Sequence, residues 1–455
     1  MLDLLVKNGT IINADGRKNA DIAVRDGKIV SVEDGAIGEN TEVVDATGLL
    51  ILPGGVDVHT HFELPVGKTQ SADDFEAGTR AAACGGVTSV IDFVMPENGE
   101  RLSDALAKRR NFADKKVCID YALHMGLTYF NDAVSGEMED VVRNGITSFK
   151  VFMTYDFRVD NNELLGVMKR VKELNGLVLV HAEDHDELNL LREKFITEGK
   201  TDAWYHYLSR PESAESKGVE TAIELAKRSK ANLFIVHLAC DEGLAALEKA
   251  RAEGYSIYAE TCPQYLYFTN EVYKRPDRHN FVCSPAIKGE QSKDALWKGV
   301  KSGSIFSIGT DHCPFNLAEK DWGINDFTKI PNGVMGVENS YPLILNEANK
   351  GHISFERAVE LCSSNPAKLF GLSAEKGAIK EGADADIVLY DPNKNFTISQ
   401  SNMHSNVDYT IYEGFSVTGY PVRTYSRGEL LYKNGEFLGK PGRGKYLKRT
   451  PVKTP

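Results

Sequence analysis

The sequence predicts an α/β protein, a (β/α)8 TIM-like barrel joined to a small β-sandwich that both chain ends build together. Three observations carry this. Between residues 54 and 373, short apolar runs alternate with helix-length amphipathic stretches, the pattern of repeated βα units around a parallel sheet. Strand-and-turn patterns fill the first fifty residues and return near the end. Ionisable residues gather at the C-terminal ends of the apolar runs, the face on which barrel active sites are assembled.

The opening residues read as LLVKNGTII, DIAVRDGKIVSVE and TEVVDATGLLILPGG, with Asn8-Gly9 and Asp26-Gly27 as hairpin signals. ADADIVLYDPNKNFTI and VRTYSRGELLYKNGEF repeat the pattern, with Asn434-Gly435 as a further turn. A sheet this small must bury its apolar face against a partner, so residues 1–53 and 374–440 are expected to form one discontinuous sandwich domain. Eight runs supply barrel strands: LLILPGGVDV, VTSVIDFV, CIDYALHMG, ITSFKVF, LVLVHAE, NLFIVHLA, YSIYAET and IFSIGTD. Segments such as NNELLGVMKRVKELNG and VETAIELAKRSK lie between them, giving a catalytic barrel over residues 54–373. Residues 441–455 are basic and contain proline and glycine, and read as a tail on a surface or at a subunit interface.

A chain of 455 residues with 42% hydrophobic content can fill a sizeable core. Its formal charge of -12 is spread along the chain, which argues against nucleic acid or an anionic membrane as a partner. The seven cysteines include no CxxC pair and read as reduced core thiols. Asp3 and Lys7 interrupt the apolar residues of the N-terminus, and no 18 apolar residues run together. The expectation is a soluble cytoplasmic protein that acts on small molecules and associates with copies of itself.

His59 and His61 follow the first barrel run, Lys150 ends the fourth, His181 the fifth, His237 the sixth and Asp311 the eighth. Four imidazoles and a carboxylate on one barrel face make a site for divalent metal ions, zinc foremost, with manganese, cobalt and nickel also compatible. Taken singly, a histidine in an apolar strand is more often a hydrogen-bonded core residue. Core histidines have no reason, however, to cluster at the same ends of separate strands. His124, His185, His206, His279, His312, His352 and His404 fit that pattern less well and read as structural, His312 the most ambiguous because it adjoins Asp311. Lys150 sits among Phe149, Val151 and Phe152, where an ammonium facing cations would be both desolvated and repelled. An ordinary reading is a lysine snorkelling to a carboxylate. The alternative is chemical: a neutral amine takes up carbon dioxide, and the N-carboxylated lysine offers two oxygens that bridge two ions.

GGVDVHTHF at 54–62, SFKVFMTY at 148–155, LVHAED at 179–184, VHLAC at 236–240, ETCPQYL at 260–266, VCSPAIK at 282–288, GTDHCPF at 309–315 and IPNGVMGVE at 330–338 resemble the cyclic amidohydrolases. The resemblance is to their D-hydantoinase, phenylhydantoinase and dihydropyrimidinase branch, over essentially the whole chain. It implies a binuclear centre with His59, His61, carboxylated Lys150 and Asp311 on one ion and Lys150, His181 and His237 on the other, in a homotetramer. It implies hydrolytic opening of cyclic amides, hydantoins to N-carbamoyl amino acids and dihydropyrimidines to N-carbamoyl-β-amino acids, by a hydroxide shared between the ions. Asp311 would move the proton from nucleophile to leaving nitrogen, and Tyr155 would donate to the oxyanion. Tyr155, Ser284 and Asn332 map onto substrate contacts, while Leu64, Phe152 and Phe157, with Phe62, offer apolar surface for ring substituents. Ala286 and Ile287 depart from relatives that often carry a second proline and a leucine there. Dihydroorotase is disfavoured because Phe62, Glu63 and Leu64 stand where an arginine normally binds the substrate carboxylate. Allantoinase remains the alternative enzyme, and a non-enzymatic dihydropyrimidinase-related scaffold is disfavoured by the complete ligand set.

Overall fold

The computed structural model describes residues 2–35 and 41–451. Its centre is the predicted barrel, with strands β1 (Gly55–Thr60), β2 (Val87–Val94), β3 (Asp120–Gly126), β4 (Ser148–Phe152), β5 (Leu177–His181), β6 (Asn232–Ile235), β7 (Ile257–Thr261) and β8 (Ser307–Ile308). Each pairs in parallel with the next. A parallel bridge between Thr60 and His312 closes the ring, with the His61 amide donating to the His312 carbonyl at 2.9 Å. The strands are buried on both faces, as expected when helices cover the outside and side chains fill the inside.

The helices begin where capping chemistry allows. Asp74 accepts from the Ala77 amide, Asn131 from the Val134 amide, and Asp160 forms a capping box with Glu163. In helix Asn161–Glu173, Leu164, Val167, Met168 and Val171 form the buried stripe, at helical spacing. Each such side chain contributes about 1.5–3 kcal/mol by leaving water.

Strand β8 is shorter than its apolar run. A side chain at Gly309 would collide with the Glu260 carboxylate, and Asp311 has φ +50°, so the chain leaves the extended conformation. Asp57 replaces the lost ladder, accepting from the Thr310 amide at 3.2 Å and hydroxyl at 2.6 Å.

The chain ends do share a sandwich. Thr10–Asn13, Gly16–Asn19 and Leu50–Pro53 join Ile387–Thr397, Ser416–Ser426, Glu429–Lys433 and Glu436–Phe437 in a mostly antiparallel sheet of seven strands. Leu4–Lys7, Asp21–Arg25, Lys28–Glu33 and Glu42–Asp45 form the facing sheet. Leu4, Val6, Ile22 and Val24 pack with Ile51, Ile387, Leu389 and Tyr425 between them. Asp26-Gly27 and Asn434-Gly435 turn hairpins as expected. Asn8-Gly9 does not: Leu4–Lys7 pairs within one sheet and Thr10–Asn13 within the other. Asn8, at φ +65°, carries the chain across the sandwich, because each short strand gains more from two flanking strands than from pairing with its neighbour.

Lys376 fastens sandwich to barrel, its buried Nζ lying 2.7 Å from Asp120 on β3 and 2.9 Å from both Asp384 and Asp386. The expected surface tail is corrected in part. Lys445 and Leu447 bond the backbone of Tyr121, and buried Arg449 donates to Ser148 Oγ at 2.8 Å and to the Leu123 carbonyl, so this segment packs into its own barrel. The last four residues of that tail lie outside the described residues.

Candidate active site

The loops at the C-terminal ends of the strands enclose a chamber of about 570 Å³. His59, His61, Lys150, His181, His237, Asp311, Tyr155, Ser284, Asn332, Leu64, Phe152 and Phe157 all line it. These twelve residues are therefore brought to one space from separate chain positions. Phe62 is the exception among the apolar residues expected at the mouth. It is fully buried against Phe75 and Gly78, because the strand alternation after His61 turns it into the helical layer. Ala286 and Ile287 are likewise core residues, so the departure noted there does not reach the chamber surface.

Two histidine pairs face one another. His59 Nε2 and His61 Nε2 lie 3.2 and 3.0 Å from Asp311 Oδ1, and His181 Nδ1 lies 2.9 Å from His237 Nε2. The outer nitrogens of two of these rings meet buried carboxylates: His59 Nδ1 meets Glu260, and His181 Nε2 lies 2.7 Å from Glu183. Against its burial, the Arg210 guanidinium and His181 keep Glu183 below the usual carboxylate range, so it accepts, His181 Nε2 carries the proton and Nδ1 presents a lone pair to the chamber. Burial instead pushes Glu260 up to about 8, and the His59–Glu260 contact shares a proton that either partner can hold. Burial is the largest influence on all four imidazoles and holds them below the usual histidine range, His59 near 3. Neutral, oriented imidazoles are what a divalent cation requires.

Lys150 has no carboxylate within 4.0 Å among the described residues; its ammonium position lies over the rings of Phe93 and Phe152 at 5.5 and 5.0 Å. Burial lowers it to about 7 despite Asp311 and Glu260 nearby, so a neutral amine is accessible at ordinary pH. The snorkelling reading fails for want of a partner. His61 Nδ1 and His237 Nδ1 are buried without partners, and His59, His61 and Asp311 group their ligand atoms within 4.8 Å. The donor set fits metal ions. Tyr155, His237 and Asp311 all have positive φ, +78°, +39° and +50°. Non-glycine residues held there cost about 1–3 kcal/mol each and cluster at functional sites.

Four of the other seven histidines have internal partners that explain them. His124 bonds Ser148 Oγ and the Val58 carbonyl; His206 bonds the Cys283 carbonyl. His312 meets Asp73 at 2.8 Å through Nε2 and accepts the Gly336 and Val337 amides at Nδ1, bracing the turn that carries Asp311. Cys84, Glu338 and His404 also group within 4.8 Å. Both His404 ring nitrogens are already engaged, by Glu338 and the Gly435 carbonyl, so this cluster is an internal ion pair. Sequence reasoning missed Glu183, Glu260 and Arg210. Their signal was present for the acids: a carboxylate two residues beyond a candidate ligand in LVHAED, and one at the end of the seventh run.

Comparison with known proteins agrees with this geometry. The amidohydrolase family model matches residues 50–431. D-hydantoinase of Ralstonia pickettii is 41% identical over 99% of this chain and 100% of that enzyme. D-phenylhydantoinase of Escherichia coli strain K12 is 40% identical over 99% of each chain. The crystal structure of dihydropyrimidinase from Brevibacillus agri NCHU1002 superposes with a TM-score of 0.98 at 40% identity, covering 100% of both chains. With a barrel of the expected order, a histidine-rich mouth and full-length relatives at this identity, the chain belongs to the amidohydrolase family, in its hydantoinase and dihydropyrimidinase branch.

Proposed function

We propose that this protein hydrolyses the ring amide of 5-substituted hydantoins and dihydropyrimidines, giving N-carbamoyl amino acids and N-carbamoyl-β-amino acids. The observation that carries the reading is the chamber itself, where neutral imidazoles, Asp311 and an unpaired buried Lys150 converge beside an apolar wall. His59, His61 and Asp311 would hold one divalent ion and His181 and His237 a second, with N-carboxylated Lys150 shared and zinc the foremost metal. When bound, such ions supply Lewis acidity and a water acidified enough to be nucleophilic at neutral pH.

The chain's own groups do the rest. Asp311 accepts the nucleophile's proton and returns it to the leaving ring nitrogen, one carboxylate serving as base and then acid. Tyr155 donates to the carbonyl oxygen as charge develops on it. Asn332 Nδ2 donates to Ser284 Oγ at 2.9 Å, and the two residues together line the chamber where the ring would contact them. Leu64, Phe152 and Phe157 offer the apolar surface for a 5-substituent.

Glu63 pairs with Lys116 at 2.6 Å and does not line the chamber, so the case against a carboxylate-bearing ring rests instead on the lining, which contains no arginine among the described residues. The deciding experiment is turnover of dihydrouracil, hydantoin, D- and L-phenylhydantoin, allantoin and dihydroorotate by metal-replete protein. Hydantoins or dihydrouracil should be preferred; preference for allantoin or dihydroorotate refutes the assignment. The proposal includes a homotetramer, with exposed Leu190 and Ile196 as apolar surface for association, and sedimentation reads that state. No described helix is long and apolar enough to cross a membrane, and seven buried, unpaired cysteines fit a reducing cytoplasm.

A further inference from the structure

Arg210 lies in the short link between helices Ala203–Leu208 and Glu212–Ser229, outside every motif that marks the site. Its guanidinium donates to Glu183 Oε2, the same oxygen that meets His181 Nε2 at 2.7 Å. Its Cζ lies 5.6 Å from the centroid of the Tyr155 ring. Glu183 is fully buried, so without a cation its charge would be stranded. The same link supports the other histidine of the pair. Lys288 Nζ donates to the Arg210 carbonyl at 2.5 Å and lies 3.6 Å from Glu215, whose carboxylate accepts from the Ala239 amide at 2.7 Å, two residues past His237.

We propose that Arg210 is a positioning residue: through Glu183 it fixes which nitrogen of His181 faces the chamber, and through its contact with Tyr155 it sets the place of that hydroxyl. This rests on the proposed metal-dependent hydrolysis. The physical basis is that a buried histidine keeps one tautomer only while its outer partner stays a fixed acceptor. A planar guanidinium can hold Glu183 Oε2 through one nitrogen while facing the Tyr155 ring, two contacts that a compact ammonium does not make together. Arg210 also lines a second cavity of about 340 Å³, bordered by Thr154, His185 and Ser209 and sharing Tyr155 with the main chamber. A small cation can therefore reach the position Arg210 occupies.

The test is Arg210→Ala in the full-length, metal-replete protein, with metal release to a chelator measured beside steady-state kinetics. Losing a group that orients a ligand weakens metal retention or activity about 10–100-fold, so release should quicken and kcat fall by that order, with KM changing less than about threefold. Guanidinium chloride at about 10–50 mM should restore at least tenfold of the lost kcat in Arg210→Ala and none in His181→Ala. Arg210→Lys, which keeps charge but not the planar guanidinium, should fall between. If Arg210→Ala does not fold, Glu183→Gln should reproduce the faster metal release. Parent-like release and kcat in Arg210→Ala, or parent-like release in Glu183→Gln, overturns the proposal. Metal release needs no substrate, so a protein that turned over none of the cyclic amides would refute the proposed function while this readout still decided the role of Arg210.

Discussion

Replacing Lys150 with alanine separates the chemistry of the site from its packing. The side chain is buried on β4, and truncation removes three methylenes and the amine. At about 0.8 kcal/mol per methylene the apolar loss is about 2–3 kcal/mol, partly offset because an amine without a carboxylate partner no longer needs burying. With an unfolding entropy of about 2 cal/mol/K per residue, a chain of this length should lose only about 2–3 °C in Tm. Activity should behave differently. If Lys150 supplies a bridging carboxylate, its loss removes a ligand from both ions, and kcat should fall at least about 1,000-fold, beyond the effect of deleting a single oxyanion donor. The gap opens into the chamber of about 570 Å³, so acetate or propionate can enter and supply two oxygens. Without a tether the added acid binds weakly, and millimolar or higher concentrations should be required. The assay is phenylhydantoin hydrolysis with metal analysis, across a carboxylate series and with Lys150→Arg as control. Arginine refills the space with a fixed cation and should not be rescued. Wild-type turnover and metal content in Lys150→Ala would make Lys150 an ordinary strand lysine and end the bridged-centre mechanism.

Other perturbations test separate parts of the argument. His237→Ala should lose metal and most turnover while keeping its circular dichroism, since barrel stability resides largely away from the mouth; full metal and activity would remove His237 from the ligand set. Tyr155→Phe should lower kcat by about 100–1,000-fold with little change in KM or Tm, and an unchanged kcat would leave Tyr155 as a wall residue. Lys376→Met leaves Asp120, Asp384 and Asp386 without their common cation and should cost about 3–5 kcal/mol by calorimetry. Burial alone would raise Asp120, but the charges of Lys376 and Arg427 outweigh it and hold it below 3.8. A depressed carboxylate stabilises above its unfolded value and loses that contribution as pH falls through the folded one, so parent and variant should converge below about pH 4. A constant gap down to pH 2 would contradict this.

Much of the site was legible because a parallel barrel sends the C-terminal ends of all its strands to one mouth. Once the runs holding His59, Lys150, His181 and His237 are read as strands, their convergence follows from the fold. The eight strands were legible for a related reason: buried on both faces, they read as continuous apolar runs, and amphipathic segments such as Asn161–Glu173 stand out between them. Phe62 was misplaced because alternation beyond a strand end depends on where the chain turns, which distant Asp92 decides by accepting the Phe62 amide. Asn8-Gly9 was misread because local turn chemistry does not state which of two sheets a strand will join.

What the sequence by itself determined is therefore the fold class, the shared sandwich and the roster of groups at the mouth, since these follow from periodicity and from residue types at strand ends. What only the tertiary structure decided is that Glu183 and Glu260 stand behind His181 and His59, that Arg210 reaches Glu183, and that Lys150 has no carboxylate within 4.0 Å among the described residues. These depend on contacts between residues up to about 200 positions apart, such as His59 with Glu260, whose distances are set by the packing of whole elements and leave no local pattern in the chain.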